Sequence, residues 1–316
     1  MVSSGSLASS VKQAKSDIQV GSKSFAFASA IFSRAQRESC WKLYSWCRRA
    51  DDAVDEASSR AEARVALTEL ETKTRTAFRG ECSPEMGHPW LGLQDIVRRY
   101  GLPERAALDL LRGFAFDVGE NPAKLQILDR DSLLDYCYCV AGTVGLLMCP
   151  IMGVRDPVAA RSAIALGSAM QLTNIARDVK EDFHRGRVYL PLTWLSESGI
   201  QPLELLEQEN RATVFKVVKD VLELAEDLYA SGAEGMHFLP WRAAWAVQVA
   251  AYIYRDIGRA IIRRGAQTDF DRVIVGRGRK FVLFFMATAD LLKCRMTEIF
   301  RTPEKRNRDG LDFISS

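Results

Sequence analysis

One stretch of the sequence places oxygen-bearing side chains at the spacing of a single helix face. It contains Gln171, Asn174, Asp178 and Asp182, which follow one another at intervals of three or four residues. At about 100° per residue, these intervals bring the side chains onto one stripe. The last three supply an amide and two carboxylates, which are hard oxygen ligands of the kind that Mg²⁺ takes. A lone pair of carboxylates is more simply explained as a solvated helix face, so the metal-site interpretation depends on a second acidic group.

A second acidic stripe occurs earlier in the chain. On a helix through this region, Tyr44, Arg48, Asp51 and Asp55 fall within about 60° of one another. The simplest alternative is a surface pair between Arg48 and Asp51, worth a few tenths of a kcal/mol. However, an aromatic and apolar run precedes the acids, and carboxylates one turn apart in a buried helix repel unless a cation lies between them. Two such stripes facing each other would hold several Mg²⁺ ions and a polyanion such as a diphosphate.

Basic and apolar residues complete a set that could ionise an allylic diphosphate. The cations Arg48, Arg177, Arg185 and Arg187 could hold phosphate oxygens. Ionisation needs metals and cations to neutralise the leaving diphosphate. It also needs a dry apolar cavity, because water would quench the carbocation. Spacing alone therefore suggests an isoprenoid diphosphate enzyme.

The apolar segment 133–152 is the candidate wall of that cavity. Tyr136, Val140 and Val144 lie along one face at i, i+4 and i+8. Gly142 and Gly145 permit the close approach of another helix or of a ligand, and close helix packing is the more common reason for such glycines.

The composition is that of an ordinary soluble globular protein. The chain has 316 residues, 47% apolar and 26% charged, and its net charge of +3 gives no indication of nucleic-acid binding. Seven scattered cysteines and three histidines lack the spacing of zinc ligands. We find no signal-peptide pattern and no run of about 18 apolar residues, so we expect a cytoplasmic protein without a spanning helix.

Helical periodicity runs through nearly the whole chain, and no segment alternates as a strand does. The pattern predicts helices over about residues 7–19, 25–32, 33–55, 59–79, 90–100, 103–118, 133–152, 157–182, 202–208, 210–231, 241–264 and 279–299. Ser33, Asp131 and Asp156 are candidate amino-terminal caps. We expect residues 1–6 to be frayed and the tail from about 302 to be disordered. With no repeat or linker, residues 1–316 are expected to form one all-α domain.

The motifs also resemble those of the squalene/phytoene synthase family, and within it most closely those of bacterial phytoene synthases. The matching segments are residues 21–25, 44–56, 140–145, 171–182, 185–191 and 250–254. They include both acidic stripes, and the resemblance spans about residues 18–280. It implies the isoprenoid-synthase fold, an all-α bundle around a central cavity. It also implies head-to-head joining of two prenyl diphosphates through a cyclopropylcarbinyl diphosphate.

The resemblance further implies roles for individual residues. Mg²⁺, or Mn²⁺ as a substitute, would be bound by Asp51, Asp55, Asn174, Asp178 and Asp182, the aspartates also being catalytic. Contacts to diphosphate or substrate would come from Ser22, Tyr44, Arg48, Gln171, Arg177, Tyr254 and Arg272, with Val140 and Val144 in the wall. Tyr136 would lie beside the reacting carbons. Taken alone, the turn at 21–24 is better explained as an interhelix connection, and Tyr254 as a core aromatic.

Several alternatives remain open. The residues Asp51, Asp52 and Asp55 also fit the first motif of chain-elongating prenyltransferases and terpene cyclases, but Asn174, Asp178 and Asp182 do not fit their second. Squalene synthase would need a nicotinamide for its reductive step. We expect none, because no glycine-rich dinucleotide motif follows a strand, although all-α members of the family bind this cofactor differently. A helical assembly subunit without activity is the remaining class, and two intact acidic stripes argue against it.

Two further expectations concern chain length and membranes. The wall candidates Val140, Val144, Leu147, Met148 and Ile151 leave room for a C20 chain, which favours phytoene from geranylgeranyl diphosphate over squalene or dehydrosqualene from farnesyl diphosphate. The apolar segment 281–286 follows the basic residues at 277, 279 and 280, which suits a peripheral contact with the inner membrane face. An ordinary core helix explains that segment equally well.

Overall fold

The structure is a computed structural model that describes residues 4–21, 23–116, 118, 127–266 and 269–300. Within these residues every regular element is helical, as predicted. The α-helices are α1 (Ser4–Gly21), α2 (Lys23–Ser29), α3 (Arg34–Asp55), α4 (Arg60–Arg79), α5 (His88–Tyr100), α6 (Glu104–Phe116), α7 (Arg130–Cys137), α8 (Thr143–Ile151), α9 (Pro157–Arg177), α10 (Val179–His184), α11 (Leu192–Glu197), α12 (Arg211–Ala233), α13 (Trp241–Arg264) and α14 (Arg277–Phe300). A π-helical segment, Tyr138–Gly142, joins α7 to α8.

Helix α9 lies at the centre of the fold, in contact with α8, α12, α13 and the π-helical segment. Small and apolar residues occur all around the circumference of α9, so the helix is buried on several sides. Ala169 and Leu172, for example, are fully buried. One hydrophobic core contains residues of α9, α12 and α13. A second contains residues of α3, α4, α5, α6 and α8. A central cavity lies between the two cores, since residues of both line it.

Helix α3 is fixed by polar contacts on the side away from the cavity. The ammonium of Lys42 lies 2.7 Å from Asp95 of α5, and both side chains are buried. The indole N–H of Trp46 donates to Thr74 of α4 at 3.3 Å. Breaking a buried ion pair costs about 3–5 kcal/mol, so this pair strongly constrains the orientation of the acidic stripe on α3.

The helix caps agree with the sequence at two of three positions. The Ser33 hydroxyl oxygen accepts the N–H of Gln36, and the carboxylate of Asp156 accepts the N–H of Val158 at 2.7 Å. The prediction that Asp131 caps the apolar helix is wrong, because the cap is Asp129. Asp129 has extended backbone and exchanges two hydrogen bonds with Ser132, which lies three residues later, as a capping box requires.

Two predicted helices are interrupted. The segment 133–152 contains the π-helical turn, and the helix carrying the second stripe breaks at Asp178, whose φ is −103° and ψ 15°. The i to i−4 pattern continues on both sides of this break: the N–H of Asp178 donates to Asn174 and that of Asp182 donates to Asp178. The stripe therefore survives the interruption.

Short elements differ most from the prediction. Helix α11 was not predicted, because six residues are too few to show a period. The predicted helix 202–208 is replaced by the 3₁₀ turns Pro202–Glu204 and Gln208–Asn210. Helix α1 begins at Ser4, inside the stretch expected to be frayed, while residues 1–3 and the tail from 302 lie outside the described residues.

One helix among the described residues, Arg130–Ile151, is long and apolar enough to cross a membrane by length and composition. The sequence led us to expect no spanning helix, and length and composition alone do not test that expectation. Half of its apolar window is buried inside the protein, as in core helices that pass the same test.

Candidate functional site

Helix α3 and the α9–α10 pair face each other across a polar cavity of about 890 Å³. Its lining contains most residues that the sequence selects: Tyr44, Arg48, Asp51, Asp55, Tyr136, Val140, Gln171, Asn174, Arg177, Asp178, Asp182, Arg185 and Arg187. Val144, Tyr254 and Arg272 line an adjoining apolar cavity. Ser22 lies outside the described residues. The two acidic stripes therefore share one cavity, while the roles of the individual residues remain predictions.

Arginines hold the carboxylates of α3. Arg48 lies 3.1 Å from Asp51 and 2.6 Å from Asp52. Arg187, in the segment after α10, lies 2.7 Å from Asp55. These pairs are partly exposed, so screening limits each to about 1 kcal/mol or less. Their effect is geometric, since the pair between Arg187 and Asp55 connects the two halves of the cavity.

Asp178 contacts two arginines. The Nε of Arg177 donates to its carboxylate at 2.8 Å, and the Nε of Arg272 lies 3.3 Å away. Burial by itself would lower the pKa of Arg177. The hydrogen bond to Asp178 and the negative charge of Asp178 oppose this effect, and the net shift of the pKa is upward. Arg177 is therefore a permanent cation at the point where the polar and apolar cavities meet.

The donor set fits a hard cation that is completed by a ligand. The Oδ1 atom of Asn174 is buried and has no hydrogen-bond partner among the described residues, while its Nδ2 donates to Gln171 at 3.2 Å. Such an unpaired oxygen costs about 1–3 kcal/mol unless something else binds it. Among the described residues, no three carboxylate, histidine or cysteine side chains lie close enough to hold a metal by themselves. Mg²⁺ commonly takes one or two carboxylates and completes its shell with phosphate oxygens and water.

Aromatic side chains pack together at the polar cavity, which Tyr136 and Tyr189 line. Tyr136 is buried and stacks on Tyr189 with ring centroids 5.0 Å apart, and Phe116 packs against its edge at 6.0 Å. Burial raises the pKa of Tyr44 to about 12 although Arg48 lowers it, so this phenol stays protonated and can donate a hydrogen bond. Sequence reasoning selected Tyr136 and Tyr44 but missed the packing roles of Tyr189 and Phe116, for which the only signal was the position of Tyr189 directly after the second stripe.

The apolar cavity, of about 690 Å³, continues from the polar cavity along α9. Asn174 and Arg177 mark its polar end, and Ala159 and Ser162 line the distant end. Helix α8 and the residue after it form one wall, with Val144, Gly145, Met148, Cys149 and Met152. The cavity provides an apolar space of the kind that the sequence led us to expect.

Leu147 and Ile151 do not belong to this wall, so their prediction is wrong. Both are buried in the second hydrophobic core. Averaged over the five wall residues at about 100° per residue, the cavity side lies about 70° round the helix from Val144, and Leu147 and Ile151 lie about 130° and about 90° from that direction. Their side chains therefore point into the core rather than into the cavity.

The glycines of the wall serve helix packing. A Cβ atom on Gly145 would lie 2.3 Å from the carbonyl oxygen of Ala163, and one on Gly167 would lie 2.4 Å from that of Ala141. Both contacts are with the partner helix backbone, which cannot yield easily. This is the more common of the two explanations left open by the sequence, and it brings the wall close to α9.

The segment between α13 and α14 covers one side of the apolar cavity. Val273, Ile274 and Val275 line it. Ion pairs fasten this segment to α10: Asp271 lies 2.6 Å from Lys180, and Arg272 also lies 3.2 Å from Glu181.

Comparisons with known proteins agree with this architecture. Residues 18–279 match the family model described as squalene/phytoene synthase. The chain is 38% identical over 292 residues to a phytoene synthase of Pseudescherichia vulneris, covering 90% of this chain and 92% of that protein. It is 39% identical over 288 residues to a 15-cis-phytoene synthase of Enterobacter agglomerans, covering 88% and 95%. A solved dehydrosqualene synthase in complex with ligand has a similar fold, with a TM-score of 0.81 and 27% identity over 91% of this chain and 98% of the other. The resemblance found in the motifs is confirmed, and the chain belongs to the squalene/phytoene synthase family.

Proposed function

We propose that this protein joins two molecules of geranylgeranyl diphosphate head to head to give phytoene, a step of carotenoid biosynthesis. The similarity to bacterial phytoene synthases over about nine-tenths of the chain supports the reaction class. The acidic and arginine-rich cavity would bind the diphosphate group, and the adjoining apolar cavity would bind the hydrocarbon chain.

The length of the apolar cavity carries the choice of substrate. Its lining runs along α9 from Asn174 to Ala159, which at 1.5 Å per residue is about 22 Å. An extended chain advances about 1.2 Å per bond, so an isoprene unit of four backbone bonds spans about 5 Å. A C20 chain then needs about 19 Å and a C15 chain about 14 Å. The cavity matches the longer chain.

The protein's own residues would bind and orient the reacting ends. Arg48, Arg177 and Arg187 would hold the leaving diphosphate, because guanidinium groups pair with phosphate oxygens through two hydrogen bonds at once. Tyr44 would donate a hydrogen bond to it. Val140, which lines both cavities, and Tyr136, which lines the polar cavity, would exclude water from the carbon that becomes cationic.

A divalent cation is part of the proposal. Asp51, Asp55, Asn174, Asp178 and Asp182 would hold Mg²⁺, or Mn²⁺ in its place. When bound, the cation would neutralise charge that develops on the departing diphosphate. The buried, unpaired oxygen of Asn174 supports this assignment.

The reaction balances as two ionisations. In the first, the C1–O bond of one substrate breaks, diphosphate departs, and the C2–C3 double bond of the second substrate attacks C1. Loss of one proton leaves a cyclopropylcarbinyl diphosphate. In the second, this intermediate loses its diphosphate, the ring rearranges to join the two C1 carbons, and loss of another proton gives the central double bond. No reductant is consumed, so no nicotinamide is required.

A second candidate is the corresponding reaction of farnesyl diphosphate to dehydrosqualene, or to squalene with a reductant. The fold similarity to a dehydrosqualene synthase favours it. The two candidates can be distinguished by incubating purified protein and Mg²⁺ with either the C15 or the C20 diphosphate, without a nicotinamide. Mass spectrometry then gives the mass of the product. A C40 hydrocarbon with three central conjugated double bonds is expected. A preference for the C15 substrate, or a need for a nicotinamide, would overturn the phytoene assignment.

A further inference from the structure

The outward face of α14 is apolar over about three turns. Its exposed residues include Phe281, Val282, Phe285, Met286 and Leu292. The opposite face packs on the protein through Leu283, Ala287 and Leu291, which are buried. The segment is therefore both a core helix and an apolar surface, whereas the sequence presented these as alternatives. Phe285 has 66% of its surface exposed, which is unusual for a phenylalanine in a globular protein.

Cationic residues accompany this apolar face at its amino-terminal end. Arg277 is exposed in the first turn, and Arg259 and Arg263 are exposed on the neighbouring helix α13. Asp256 is buried and accepts hydrogen bonds from Arg279 at 2.6 and 3.0 Å, which fixes the start of α14 against α13. The group contains these four arginines and the single buried carboxylate of Asp256, so it has a net positive charge beside the apolar surface. That combination suits an interface containing both hydrocarbon and anionic headgroups.

The apolar cavity reaches the surface next to this face. Ile274 lines the cavity and is also 78% exposed, three residues before α14 begins. Lys280, in the first turn of α14, lines the cavity as well. The hydrocarbon space inside the protein and the hydrocarbon-like surface outside it are thus adjacent.

We propose that the outward face of α14, with Ile274, docks on an anionic lipid surface, so that the cavity opens toward the membrane. Delivery of a hydrocarbon product by this route rests on the proposed function, but docking itself does not. A second copy of the chain is the competing occupant. Residues 281–292 span about 17 Å, and a helix about 10 Å wide gives a footprint of about 170 Å². A stable dimer needs about 800 Å² per partner, so this face alone is too small for one.

Sedimentation of the purified full-length protein with vesicles tests the proposal. Vesicles of phosphatidylcholine with phosphatidylglycerol are used without substrate, so the result does not depend on the proposed reaction. The double variant Phe285→Gln/Met286→Gln removes apolar surface without touching the cavity lining. Burial of one phenylalanine corresponds to about tenfold in affinity, so we expect at least a tenfold loss of vesicle binding. The matched control is Val65→Gln, which removes an apolar side chain that is 69% exposed on α4, and it should bind as the unmodified protein does.

Three outcomes would overturn the proposal. The unmodified protein could fail to sediment with the vesicles, or the double variant could bind as strongly as the unmodified protein. Light scattering could also reveal a dimer that the double variant converts to monomer, which would make a second copy the occupant. Equal melting temperatures of the variants and the unmodified protein show that binding was compared between folded proteins. Binding that the double variant loses would support the expected peripheral membrane contact, and failure would leave the assay of the condensation reaction unaffected.

Discussion

Blocking the distant end of the apolar cavity should convert a C20 enzyme into a C15 enzyme. Ser162 lines that end and is buried. Measured from Asn174 along α9, the third isoprene unit ends after about 14 Å, beside about residue 165, and the fourth ends after about 19 Å, beside about residue 161. A leucine at position 162 would therefore occupy the space of the fourth unit alone.

The size of the effect follows from the carbon atoms that lose their place. One isoprene unit has five carbons, and at about 0.8 kcal/mol each its burial contributes up to about 4 kcal/mol. We expect Ser162→Leu to remove most of this preference, which lowers the ratio of turnover efficiencies for C20 and C15 diphosphates by about 100-fold. Val144→Phe, on the opposite wall, should shift the ratio in the same direction.

Competition between the two diphosphates measures the ratio directly, with Ser162→Ala as the matched control that keeps the cavity open. Ser162 lies close to Gly235, so a leucine at position 162 also risks overpacking, which costs about 1–3 kcal/mol. The melting temperature of each variant is therefore measured together with its activity. If a folded Ser162→Leu protein retains the original ratio, the fourth unit does not lie along α9 and the derivation of chain length fails.

Three other substitutions test the polar site and the ion pair between Asp256 of α13 and Arg279 of α14. Asp178→Ala should abolish turnover and lower the melting temperature by several degrees, because it leaves the half-buried Arg177 without that carboxylate. Mg²⁺-dependent turnover in the variant would contradict the role of Asp178. Asn174→Leu removes an unpaired buried oxygen, so we expect the metal-free protein to melt about 2 °C higher while turnover is lost, and a lower melting temperature would mean that the oxygen is bound within the protein. The hydrogen bond from Arg279 lowers the pKa of Asp256, so its stabilisation is present above about pH 4 and is lost as the pH falls through the lowered pKa. The unfolding free energies of Asp256→Asn and the unmodified protein should therefore differ at pH 7 and converge in acid, whereas a constant difference would contradict the ion pair.

Local patterns predicted the helices and the sides from which their acids project. The stripes on α3 and on α9 with α10 could be found because residues three or four apart share a helix face whatever the tertiary structure. The same argument failed for Leu147 and Ile151. Which side of an apolar helix meets a cavity depends on the helices around it, and α8 contains no charged residue that would indicate its polar side.

Other features depend on contacts between distant parts of the chain. The pair between Arg187 and Asp55 joins residues separated by 132 positions, and Arg272 reaches Asp178 from the segment after α13. Neither spacing has a signature in the sequence. The break at Asp178 belongs to the same group, because its carboxylate is held from outside the helix by Arg272 as well as by its neighbour Arg177.

These distant pairs suggest why the acidic stripes tolerate their own charge before any ligand binds. Three of the predicted metal-binding carboxylates, those at positions 51, 55 and 178, each lie beside an arginine. The arginines neutralise the carboxylates and hold them in position across the cavity. A diphosphate that enters with Mg²⁺ offers the carboxylates a cation and the arginines an anion, so every charge can exchange one partner for another. We therefore expect substrate and metal to bind with strong mutual dependence, and titration calorimetry should find weak binding of Mg²⁺ or of a non-ionisable diphosphate analogue alone. Tight binding of Mg²⁺ to the protein without diphosphate would contradict this exchange.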